Sequence, residues 1–81
     1  MTDVTINEQM TVNQNCEVYN CEIANGYTLP TQFDTIIAVV MTNEETGVGV
    51  GTYGGYATSG SQITFYVDST TTWSVIVVGR K

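Results

Sequence analysis

An all-β domain, a small antiparallel β-sandwich or barrel of about six to eight short strands, is what this sequence predicts, and three observations carry that expectation. The runs Ile36-Ile37-Ala38-Val39-Val40-Met41, Gln62-Ile63-Thr64-Phe65-Tyr66-Val67 and Trp73-Ser74-Val75-Ile76-Val77-Val78 are rich in β-branched and aromatic residues, which fit a pleated surface. Between them lie Asn43-Glu44-Glu45-Thr46-Gly47, Ser59-Gly60-Ser61 and Asp68-Ser69-Thr70-Thr71-Thr72, clusters that favour turns. No stretch holds the i, i+3, i+4, i+7 apolar spacing of a helix, and the 14 threonines suit wet sheet faces.

The elements follow in order. Residues 1–15 are polar, with Val4, Ile6, Met10 and Val12 as their apolar positions, and read as an extended arm or edge strand. That stretch is expected to serve partner binding more than the core. Glu17 to Ile23 reads as a strand, and Asn25-Gly26 as a hairpin turn leading back through Tyr27-Thr28-Leu29 until Pro30 ends the pairing. Ile36 to Met41 is apolar on both faces, as a central strand covered on both sides would be. Val48-Gly49-Val50-Gly51-Thr52-Tyr53 alternates valine with glycine, and Gly54-Gly55 reads as a flexible corner before Tyr56. These glycines sit in a β pattern with no following helix or Lys-Ser/Thr, so they are not a phosphate loop. In the last two strands, Ile63, Phe65 and Val67 share one face, as do Trp73, Val75 and Val77. A short turn between those strands predicts that they pair antiparallel, with Val39 or Val40 completing the core.

A length of 81 residues supports a single domain, 1–81, burying roughly 60% of the surface of the unfolded chain. Eight acids against two bases give a net charge of −6, and the acids are scattered, as on a solvated surface. No nucleic acid partner is expected, because Arg80 and Lys81 cannot offset that field. No run spaces carboxylates as a calcium loop does. No apolar stretch is long enough to cross a membrane as a helix, so no membrane partner is expected. The start, Met1-Thr2-Asp3-Val4-Thr5, lacks the positive charge and apolar run of a secretory signal, which predicts a product made in the cytoplasm.

Cys16 and Cys21 have odd separation. On one strand they point to opposite faces, about 17 Å apart, beyond disulfide reach. Two reduced, partly buried thiols are the expectation, with a local disulfide as the alternative. With no histidine and no third cysteine, one chain cannot complete a zinc site. The same lack of histidine removes the usual base for a serine or cysteine nucleophile. The domain is therefore expected to be no enzyme and to hold no cofactor or metal. The residues best suited to recognition are the aromatics with a polar tip, Tyr19, Tyr27, Tyr53, Tyr56, Tyr66 and Trp73, although each taken singly is expected to be an ordinary half-buried strand residue with its polar tip in water. Tyr53 and Tyr56, flanking Gly54 and Gly55, are the predicted contact cluster.

Tyr27-Thr28-Leu29-Pro30 leads into Phe33-Asp34-Thr35-Ile36-Ile37-Ala38-Val39-Val40, followed by a Thr46-Gly47 turn. Then come Gln62-Ile63-Thr64-Phe65-Tyr66 and the ending Trp73-Ser74-Val75-Ile76-Val77-Val78-Gly79-Arg80. This pattern of apolar positions and turns, over about two thirds of the chain, resembles the small β-sandwich modules of tailed-phage virion proteins. The resemblance implies a structural role without catalytic residues, as a capsid decoration (cement) protein, a minor capsid protein, or a fibre or tail accessory domain. Many such modules belong to longer proteins, whereas here about 26 residues precede the pattern, which fits a decoration protein better. The implied partners are the major capsid protein or other virion subunits, with homo-oligomerisation left open, and the implied location is the virion. Two alternatives stand beside this: a receptor- or glycan-binding fibre or tail module, and a small host-directed inhibitor.

Overall fold

The computed structural model describes residues 2–44 and 54–81. They form seven strands and no helix: β1 (Thr5–Asn13), β2 (Cys16–Ile23), β3 (Thr28–Pro30), β4 (Thr35–Asn43), β5 (Gly54–Ser59), β6 (Gln62–Val67) and β7 (Thr71–Arg80). Two antiparallel sheets result, of order β1-β2-β7-β4 and β3-β6-β5. They pack as a small sandwich whose shortest dimension is 18 Å, the depth of two layers about 10 Å apart with outward side chains.

Period-2 alternation builds the core. Tyr19, Cys21 and Ile23 of β2 line up with Val75, Trp73 and Thr71 of β7, and Val39 of β4 with Val77. Facing them are Leu29, Ile63, Phe65 and Val67 of the smaller sheet, with Phe33 and Val4 closing the ends. Ile63, Phe65 and Trp73 share this core with Val39, as the alternation predicts, whereas Val40 is half exposed at 50%.

Three expectations are corrected. Asn25-Gly26 makes a turn but no hairpin, for β2 and β3 belong to different sheets. A two-residue hairpin of the Asn-Gly kind needs positive φ at both central residues. Here Gly26 alone has it, at 83°, while the Tyr27 amide donates to the Ala24 carbonyl at 3.1 Å, so the turn is of type II and the strands splay. Gly26 N–H then donates to the Phe65 carbonyl, tying the corner to the second sheet. In the same way β6 and β7 do not pair with one another. The Asp68–Thr70 connection crosses between sheets, and β7 inserts between β2 and β4. Finally, among the described residues β4 is an edge strand rather than a central one: Ile37 and Val40 point outward, 60% and 50% exposed.

The β5–β6 hairpin does have its expected turn, with Gly60 at φ 60° and Ser59 opposite Gln62. Residues 5–13 form a paired edge strand whose side chains are all exposed. Just before it, Val4 is buried, its amide donating to the Thr28 carbonyl at 2.9 Å. The valine–glycine alternation of residues 48–53 lies outside the described residues.

Cys16 and Cys21 are both free thiols, Cys16 half-buried on the outer face and Cys21 fully buried on the inner one. Thermal melts with and without reductant are expected to coincide. A fall of more than about 10 °C on reduction would reveal a disulfide worth on the order of 2 kcal/mol.

Candidate contact surfaces

Of the predicted contact cluster, Tyr53 lies outside the described residues, and Gly54, Gly55 and Tyr56 are not a corner. All three belong to β5, where Gly54 faces Val67, Gly55 faces Tyr66 and Tyr56 faces Phe65. The reason for a glycine at 54 is packing. A Cβ there would lie 3.1 Å from Cη2 of Trp73 and 3.0 Å from Cγ1 of Val67, so the bare backbone lets the indole edge reach across from β7. Tyr56 shares the inward-facing side of β5 with Gly54, yet it remains 45% exposed because β5 is the outermost strand of its sheet. Tyr66 stands on the opposite side of that sheet, 52% exposed. The structure thus presents two exposed tyrosines on adjacent strands, one on each face of the smaller sheet. Tyr19 and Trp73 are buried, which removes them from any contact surface. Among the described residues Trp73 Nε1 has no hydrogen-bond partner.

A polar cluster that the sequence reading missed lies at the β1–β2 end of the core. Glu17 is 3% exposed, on the apolar face of β2 beside Tyr19. The Tyr19 hydroxyl donates to Glu17 Oε1 at 2.7 Å, the Thr11 hydroxyl to Oε2 at 3.1 Å, and the Gln9 amide to Oε2 at 3.3 Å. Three neutral donors therefore solvate a buried carboxylate, and β1 supplies two of them. The signal was present in the alternation itself: Glu17 shares parity with Tyr19, Cys21 and Ile23, so a strand places it inside.

Burial, then the hydrogen bond to Glu17 and its charge, hold the Tyr19 hydroxyl well above the usual tyrosine range, and burial pushes the Cys21 thiol from 9.0 up to about 11. In the unfolded chain both groups ionise at their ordinary values, so above about pH 9 the unfolded state binds fewer protons and stability declines as pH rises. The contribution of Cys21 is complete below pH 9 and lost by about pH 11; that of Tyr19 begins to fall near pH 10. Urea midpoints are expected to be flat up to about pH 9 and to drop beyond it. Cys21→Ala should move the onset up by about one pH unit, and midpoints unchanged through pH 10.5 in the parent protein would contradict the burial of both groups.

Among the described residues, shallow depressions mark the outer surface. One, of about 290 Å³, lies over Glu8, Met10, Val18, Asn20 and Ser74 of the larger sheet. Another, of about 210 Å³, is lined by Gln14, Asn15, Arg80 and Lys81, and gathers both basic residues of the chain at one end. Among the described residues, no three His, Cys, Asp or Glu side chains converge as a metal site would require. No helix among them is long and apolar enough to cross a membrane. No family model matches this chain, and the comparisons with curated proteins and with solved structures likewise find no match.

Proposed function

We propose that this protein is a non-enzymatic contact module, a capsid decoration protein that attaches in many copies to an assembled phage shell. The observation that carries the reading is the exposed pair Tyr56 and Tyr66 on β5 and β6, beside a sheet edge that no other described strand covers. Such an edge offers backbone donors and acceptors to a neighbouring subunit, and the tyrosines add rigid contact area with polar tips. The all-β sandwich and the phage-like pattern from Tyr27 to Arg80 support the same reading. A module of this size needs no single strong site, since weak contacts repeated over a lattice act together.

The test is a shell-binding assay with counted copies. A decoration protein occupies virions at hundreds of copies on a shell lattice, a fibre or tail module at about a few tens or fewer, and a host-directed inhibitor at none. Tyr56→Ala is expected to cost well under about 1 kcal/mol in a denaturant melt, because nearly half of the side chain is already in water, while lowering shell occupancy. Full occupancy by the Tyr56→Ala and Tyr66→Ala variants would remove this surface from the reading.

A further inference from the structure

Cross-strand register aligns Met10, Val18, Ile76 and Val40, one from each strand, in a ladder across the outer face of the larger sheet. Met10, Val40 and Ile76 are exposed by 60%, 50% and 38%, and Val18 is half-buried. Cys16, Val78 and Ala38 form the next row toward one end, with the exposed Ile37 beside it. The opposite neighbouring row is polar: Glu8, Asn20, Ser74 and Thr42. Beyond the apolar rows the face ends in Arg80, and beyond the polar row in Glu22, which pairs with Thr72.

We propose that this face joins two copies of the chain, stacked antiparallel about a two-fold axis running across the strands over the Met10–Val18–Ile76–Val40 ladder. Charge selects the arrangement. Arg80 and Thr72 lie equally far along β7 on either side of Ile76. A two-fold axis through that ladder reverses the strand direction, so Arg80 of each copy comes to lie over the Thr72–Glu22 row of the other. An axis along the strands would instead set Arg80 against Arg80, with like charges facing. The apolar ladder meets its own copy at the centre, as an isologous interface requires. The outer face of the smaller sheet, with Gly55, Ala57, Ser59, Gln62 and Thr64 around Tyr66, has no comparable row.

Stacking is favoured over edge-to-edge pairing because both edge strands of the larger sheet slip register, β1 at Asn7 and Val12 and β4 at Ile37. Such irregularities twist an edge away from a new strand. Four strands at about 4.8 Å spacing and eight residues of rise at about 3.3 Å give a footprint of roughly 500 Å². That lies below the roughly 800 Å² per partner of a standard interface, which places the dimer in the weak, transient class.

Sedimentation equilibrium of the full chain tests this, over concentrations from about 1 to 500 µM. The expected result is reversible dimerisation, weakened at least about tenfold by Ile76→Lys. Arg80→Glu and Glu22→Arg should each weaken it about tenfold, since each homodimer then sets like charges together twice. Mixing these two variants should restore it, because both charge pairs in the mixed dimer are opposite again. Arg80 and Glu22 are exposed, so the swaps test the interface even if Ile76→Lys disturbs folding. The Cys16 thiol lies on this face while Cys21 is buried, so its labelling rate should fall as concentration rises. Tyr56→Ala should leave dimerisation unchanged, which separates this surface from the proposed shell contact. A chain monomeric throughout that range, or charge variants that fail to cross-pair, overturns the proposal.

Discussion

Phe65→Ala should destabilise the protein by about 3–5 kcal/mol and leave little folded population at physiological temperature. Phe65 is fully buried in the middle of β6, flanked on the same face by Ile63 and Val67 and covered by the larger sheet. Truncation removes the ring's transfer energy and leaves a cavity that a two-layer core cannot close, because both layers are held by their backbone ladders. An 81-residue domain has a total stability of roughly 4–12 kcal/mol, so the loss is comparable with the whole. A urea melt compared with the Tyr56→Ala variant, one strand away, checks the assignment. If Phe65→Ala were tolerated and Tyr56→Ala unfolded the chain, the buried centre of this face would lie at the β5 edge rather than on β6.

Gly79→Ala should be nearly as damaging, although it adds a single methyl group. A Cβ at this position would lie 2.6 Å from Cγ of the buried Phe33 and 2.6 Å from the Thr35 carbonyl oxygen. The carbonyl cannot retreat cheaply. Asp34 N–H donates to the Arg80 carbonyl at 3.0 Å, and Gly79 N–H donates to the Asn15 carbonyl at 2.9 Å, so backbone bonds pin both sides of the contact. Overpacking of this kind costs about 1–3 kcal/mol and more where backbone must move, which places this variant at about 3 kcal/mol or above. Gly55→Ala is the matched control: nothing lies within 4 Å of a Cβ there and its φ is not positive, so its midpoint should stay within about 0.5 kcal/mol of the parent. Equal midpoints for the two alanine variants would mean that Phe33 does not sit beneath Gly79.

The strands were legible because alternation and β-branched content report directly on a sheet's buried face, as in Ile63-Phe65-Val67 and Trp73-Val75-Val77. Which strand pairs with which was not legible. Asn25-Gly26 and Asp68-Ser69-Thr70 have the composition of hairpin turns, but the same residues also serve crossings between layers, and a local signal does not separate the two. The double-sided apolar character of Ile36 to Met41 suggests burial between layers, while the strand lies at an edge with Ile37 and Val40 in water. Tyr56 is exposed as expected, but the outer ladder from Met10 to Val40 emerges only from register, which brings together residues far apart in sequence.

The position of β7 also governs how the chain reaches this structure. Although it follows the other six described strands in sequence, it lies between β2 and β4, and among the described residues β4 joins the larger sheet only through it. During synthesis, the β1–β2 and β5–β6 hairpins can form from local pairs, but among the described residues β4 has no partner strand in its sheet until residues 71–80 have emerged. The closing step must bring β7 beside Cys16–Ile23, a loop of some fifty residues, so folding is dominated by distant contacts and belongs in the millisecond-to-second range. Until then the apolar stretch Ile36–Met41 is exposed to other unfinished chains, and the six strands made earlier lack the one that locks them together.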